Sequence, residues 1–182
     1  TPERFCEFWR GIAKERGVLL CPRGRRVHKT RDEGFFYPTH LALEREVEAA
    51  LAALSARFAE YADAHMSLYI GFSQGGQMGA LMLPEHGEEL PRVLMLEGGS
   101  GDWTRMRSRL FAGSGGVRVD FVCGRPGCYA QAQRSSARLR EVGLESAADY
   151  VPGAGHNDFD KMLPTLEAAF QRLTEGDERW KK

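Results

Sequence analysis

The chain has 182 residues, of which 42% are hydrophobic and 27% charged, the composition of a folded globular protein and not of a disordered one. Its 25 basic and 25 acidic residues cancel, so nothing in its charge points to nucleic acid or another polyanion as partner. No apolar run approaches the roughly 20 residues of a membrane span, and the length fits one domain, residues 1–182.

Thr1-Pro2-Glu3 reads as a helix start, and Phe5, Phe8, Trp9 and Ile12 follow on one helical face until Gly17. Residues 17–22 form a short apolar run between breakers, which predicts a strand buried on both faces of a parallel sheet. Residues 23–38 are basic and aromatic and read as a loop. Residues 41–64 have the apolar spacing of a long helix. From there strands and helices alternate. Strands are expected at 66–71, 92–97, 117–123 and 147–151, and helices at 74–83, 103–111 and 129–142, with a last helix through Met162 and Leu173. Such alternation predicts a parallel sheet flanked by helices.

The informative segment joins the second predicted strand to its helix. It reads Gly71-Phe72-Ser73-Gln74-Gly75-Gly76, which contains G-x-S-x-G. An apolar strand leads in and a helix of small residues leads out, the setting in which this pattern forms a nucleophile elbow. The turn is sharp enough to strain the serine backbone. The residues two before and two after it are expected to crowd together, hence Gly71 and Gly75. The hydroxyl of Ser73 would stand clear of the sheet, and the N–H of Gln74 would face a developing oxyanion at a helix N-terminus. A glycine-rich turn with a bystander serine is the alternative.

A serine nucleophile needs a base. Of the histidines at 28, 40, 65, 86 and 156, His156 lies after the last predicted strand, in Gly153-Ala154-Gly155-His156. That loop reaches the C-terminal edge of the sheet, where the catalytic groups of open parallel sheets gather. Serine before histidine is also the chain order of a hydrolase triad on this kind of sheet. His65 precedes its strand and belongs at the opposite edge. His28, His40 and His86 read as surface residues.

On these residues the chain resembles the phospholipase/carboxylesterase family, which includes acyl-protein thioesterases. Gly71 to Gly76 is similar to that family's elbow and Gly155-His156 to its histidine loop. The resemblance implies an α/β-hydrolase-like three-layer sandwich with a mostly parallel sheet. It implies hydrolysis of carboxylic esters or thioesters through an acyl-serine, without metal or organic cofactor, on a small-molecule or lipid-like ester. Ser73 would be the nucleophile, His156 the base, and Gln74 a backbone donor to the oxyanion.

Two features depart from the family. It carries an aspartate in the loop that here reads Gly124-Arg125-Pro126-Gly127-Cys128, which has no carboxylate. The acid is therefore expected from the end of the preceding strand, as Glu97, with Asp102 as the alternative; Asp158 is too close to His156 and is expected to begin the last helix. The family's second oxyanion donor follows an earlier strand, for which no His-Gly marker precedes Thr1. The expectation is a chain that lacks N-terminal strands of its natural protein.

Other readings stay open. A catalytically impaired binding protein on this fold is one, and a serine hydrolase of peptides or lactones is another. Residues 23–38 could line the site as a basic rim suited to an anionic ester, or be solvated surface. Cys6, Cys21, Cys123 and Cys128 have no zinc spacing. Each half could hold a local disulfide, Cys6 with Cys21 and Cys123 with Cys128. Otherwise they are buried thiols of a soluble cytoplasmic chain.

Overall fold

The computed structural model describes residues 2–14, 16–27, 34–60 and 67–180. The expectations for Thr1, His28, Lys29, Arg31, His65, Met66 and the end of the long helix fall outside these residues. The chain divides into two compact units, Thr1–Ala64 with Thr174–Lys182, and His65–Leu173.

The first unit holds helix α1 (Pro2–Ala13), a short antiparallel ribbon of β1 (Arg25–Arg26) and β2 (Phe35–Phe36), and helix α2 (His40–Phe58). Trp9 and Ile12 are the buried face of α1. The helix ends before Gly17, at Lys14, which takes a left-handed backbone with φ 55°. Helix α2 opens on Thr39, whose hydroxyl accepts the Ala42 N–H at 3.2 Å.

The strand predicted at residues 17–22 does not form. An apolar run becomes a buried strand only where neighbouring strands take up its backbone groups. Here Val18 is 54% exposed and Leu20 38%, and Cys21 is tied to α1 by a disulfide to Cys6. The loop predicted at 23–38 contains the β1–β2 ribbon instead of being wholly irregular.

The second unit is an α/β layer structure. Strands β3 (Leu68–Phe72), β4 (Arg92–Leu96), β5 (Arg118–Cys123) and β6 (Ala148–Tyr150) form a parallel sheet in that order. Between them run α3 (Gln74–Met82), α4 (Arg105–Gly113) and α5 (Pro126–Glu141), and α6 (Phe159–Thr174) follows β6. Among the described residues the parallel sheet thus has four of the five expected strands. The two central strands are the most apolar and the most enclosed: Val93, Leu94, Leu96, Val119, Phe121 and Val122 are fully buried. Burial of each such side chain is worth about 1.5–3 kcal/mol. The outer strands β3 and β6 are only half-buried along most of their length. Helix α3 packs on β3, and α5 on β5 and β6. Met162, Leu166, Ala169, Phe170 and Leu173 give α6 its buried stripe.

One of the polar groups buried in this unit is a carboxylate within a central strand. Asp120, fully buried in β5, accepts from Arg118, Arg172 and the Ala147 N–H. Arg172 also pairs with Asp149. These partners satisfy a carboxylate that would otherwise be costly to bury.

Candidate active site

Three chain reversals at the C-terminal ends of β3, β4 and β6 converge. Ser73 follows β3 with φ 51° and ψ −118°, a strained conformation for a residue with a side chain. Its N–H donates to Leu96 O at 2.9 Å, which hooks the turn onto the end of β4. Gln74 is the first residue of α3, at the positive end of that helix.

The glycines of this turn divide their work differently from expectation. A side chain on Gly71 would meet the backbone of Gly76 at 2.7 Å, whereas one on Gly75 would meet nothing. The residue that must be small after the serine is therefore Gly76, because it faces inward from α3. It is also close to Gly98, whose own Cβ would run into Ser73 O. Gly98 and Gly99 let the end of β4 lie directly against the serine turn.

Glu97 ends β4 one residue past the strand, with φ 52°, and its N–H donates to Val122 O at 3.1 Å. The residue is 3% exposed. Four donors meet its carboxylate. Oε1 accepts the N–H groups of Gly124 (2.6 Å) and Arg125 (2.9 Å). Oε2 accepts Arg125 Nε (2.5 Å) and lies 3.1 Å from His156 Nδ1. Burial pushes this carboxyl up, but the hydrogen bonds from His156, Arg125 and Gly124 outweigh it and hold the pKa below its ordinary value.

His156 lies in the turn after β6, three residues after Gly153 and one after Gly155, both at positive φ. Its Nε2 is 2.9 Å from Ser73 Oγ. An ionised carboxylate only accepts, so the proton bonded to Glu97 belongs to Nδ1, and Nε2 is left to accept the Ser73 hydroxyl. The ring is held from one side by Phe72, 5.1 Å away between centroids, which in turn packs on Phe159 at 5.0 Å.

The structure thus brings Ser73, His156 and Glu97 into one hydrogen-bonded chain, with Gln74 at the adjoining helix start. It does not bring Asp102 to the histidine. Asp102 lies in the turn beyond Gly99, where burial raises its pKa and Arg107 partly offsets that rise. Asp158 accepts the Lys161 N–H at 3.1 Å and so caps α6. Sequence reasoning missed Arg125, Gly98 and Phe72. The available signal for Arg125 was a cation in the loop where the family carries its acid.

Both cysteine pairs are bridged, Cys6 to Cys21 and Cys123 to Cys128, and no free cysteine is found among the described residues. The reading as four thiols is therefore corrected. The sulfurs of Cys123 and Cys128 lie within 4.8 Å of the Glu97 carboxylate, but they are bonded to each other and are not thiolate ligands for a metal. Among the described residues, no helix is long and apolar enough to cross a membrane.

No family model and no curated protein matches the chain. Solved structures do. SOBER1 of Arabidopsis thaliana is 19% identical, with 76% of this chain and 68% of that one covered and a TM-score of 0.54. An uncharacterized protein from Bacillus cereus is 14% identical, over 94% of this chain and 55% of that one, with a TM-score of 0.70. Esterase PE8 is 17% identical, over 83% of this chain and 76% of that one, with a TM-score of 0.50. At these identities the likeness establishes the fold, an α/β-hydrolase-like parallel sheet flanked by helices.

Proposed function

We propose that the chain is a serine hydrolase that cleaves carboxylic esters or thioesters through an acyl-serine intermediate. The observation that carries this reading is the hydrogen-bonded chain Glu97–His156–Ser73 beside the N-terminus of α3. Ser73 Oγ attacks the carbonyl carbon while its proton passes to His156 Nε2. Negative charge develops on the carbonyl oxygen, which the backbone N–H of Gln74, at the start of α3, would stabilise. The imidazolium, stabilised by Glu97, then protonates the departing alcohol or thiol. Water attacks the acyl-serine with His156 taking its proton, and release of the acid restores the hydroxyl. With both cysteine pairs bridged, the chain suits a compartment in which disulfides persist.

Ser73→Ala tests the reading. Turnover of p-nitrophenyl acetate should fall about 10⁶-fold with the fold intact. A fluorophosphonate probe should label the wild-type protein at Ser73 and leave the variant unlabelled. Undiminished turnover by the variant would overturn the assignment.

A further inference from the structure

The loop between β5 and α5 has no carboxylate, yet most of the bonds to the buried acid come from it. Three of the four donors around Glu97 belong to this loop: the N–H groups of Gly124 and Arg125 and the Arg125 side chain. We infer that Arg125 is a positioning residue for Glu97, and that the Cys123–Cys128 disulfide holds it in place for that task. The inference rests on the serine hydrolase reading.

Arg125 is ill-suited to its own helix. It occupies the N-cap of α5, where a short acceptor side chain would normally bond the first free N–H groups. Arginine offers no acceptor, makes no capping bond, and puts a positive charge at the positive end of the helix. Its Nε turns back to Glu97 Oε2, the oxygen that also faces His156. That bond fixes the rotation of the carboxylate about its last torsion. Without it, Oε2 would keep only the histidine as a side-chain partner.

The disulfide supplies the rigidity that this arrangement needs. Between Cys123 and Cys128 lie Gly124, Arg125, Pro126 and Gly127, and two glycines in four residues would otherwise leave the segment loose. The bridge ties the end of β5 to the first turn of α5. The loop also meets the histidine turn: a Cβ on Gly124 would strike Gly155 O, one residue before His156. One clamped segment therefore sets both the acid and the base.

The groups that face the Glu97 carboxylate are Arg125 and His156, together with two backbone N–H groups. Removing the guanidinium should let Glu97 protonate at higher pH as well as lose its orientation.

The test is kcat and KM for p-nitrophenyl acetate against pH in wild type, Ser73→Ala, Arg125→Ala and the double variant Cys123→Ala/Cys128→Ala. The Arg125 side chain is 52% exposed, so its truncation leaves the core intact. Arg125→Ala should lower kcat about 10-fold with KM unchanged, the size of one lost bond to a charged group. Its acid limb should move to higher pH, and added methylguanidinium should restore part of the rate. The double cysteine variant should show the same two changes to a smaller extent. Wild-type kcat and acid limb in Arg125→Ala would overturn the role of Arg125. So would a fall in kcat with neither a moved limb nor a response to methylguanidinium. A double cysteine variant indistinguishable from wild type would overturn the role of the disulfide. Wild-type activity in Ser73→Ala would instead sink the hydrolase reading itself.

Discussion

The loops after β4 and β5 leave neighbouring strands of one sheet at the same edge, and they contribute opposite chemistry. The first supplies charge. Its Glu97 takes φ 52° and is followed by Gly98 and Gly99, which allow the chain to lie against the serine turn. The second supplies donors, two backbone N–H groups and a guanidinium, on a segment bridged by Cys123 and Cys128. In the proposed triad neither loop would make a working acid alone. A buried carboxylate without donors would be protonated, and donors without a carboxylate would leave the imidazole without a counter-charge. The position of an acid along the chain and the place where its charge acts are separable, provided that the donors sit opposite.

The sharpest way to break this division is to remove the charge and keep the shape. Glu97→Gln puts one acceptor and one donor where four donors converge. If the amide oxygen stays with Gly124 and Arg125, its NH₂ faces Arg125 Nε and His156 Nδ1. The histidine must then present a lone pair at Nδ1 and carry its proton on Nε2, where it cannot accept from Ser73. We expect kcat for p-nitrophenyl acetate to fall about 10⁴-fold, the cost of trapping the wrong tautomer. Asp102→Asn, four residues beyond Gly98, should change kcat by less than about 3-fold, since this half-buried carboxyl is not among the groups bonded to His156. The reverse order of effects would assign the acid to Asp102.

The division is also structural, and Gly98→Ala probes it. The new methyl would run into Ser73 O, in the backbone of the serine turn, so that one turn must move off the other. Overpacking against a fixed backbone should cost about 1–3 kcal/mol of stability, read as a lower urea midpoint, together with slower labelling of Ser73 by a fluorophosphonate. Gly75→Ala is the control: its Cβ meets open space, and it should label and melt nearly as wild type. Equal behaviour of the two variants would contradict the packing of the β4 end on the serine turn.

These contrasts show what was legible in the sequence. The apolar runs of β3, β4, β5 and β6 and the small residues of α3 are local signals, and they located the sheet to within a few residues. Ser73 and His156 could be singled out because each sits in a glycine-marked turn at a strand end. The choice between Glu97 and Asp102 could not be made locally, since both follow β4. What sets Glu97 apart in the structure is its donors 27 and 28 residues further along the chain, at Gly124 and Arg125. The same limit explains residues 17–22, whose apolar run promised a strand. Strand formation depends on a neighbour, and the exposed Val18 has none of the burial that a central strand provides. Gly75 and Gly76 were likewise indistinguishable until the direction of the helix was known.

The smallest expected effect is a difference of sign between two carboxyls of the same loop. Burial acts on both and pushes each upward. At Glu97 the bonds from His156, Arg125 and Gly124 prevail, so its folded pKa lies below the unfolded one. Ionised Glu97 therefore adds stability above its unfolded pKa, and that contribution is lost as pH falls through the folded value. At Asp102 burial prevails over Arg107, so its folded pKa lies above the unfolded one. Ionisation of Asp102 opposes folding at neutral pH, and the penalty disappears once both states are protonated. Urea melts near pH 7 and again below the ordinary carboxylate range should separate the two. Asp102→Asn should be more stable than wild type at neutral pH and lose that advantage in acid. Glu97→Gln should be less stable than wild type at neutral pH, with the deficit shrinking in acid. If both variants departed from wild type with the same sign, the two carboxyls would share one environment, and the donors of the β5–α5 loop would not be what sets Glu97 apart.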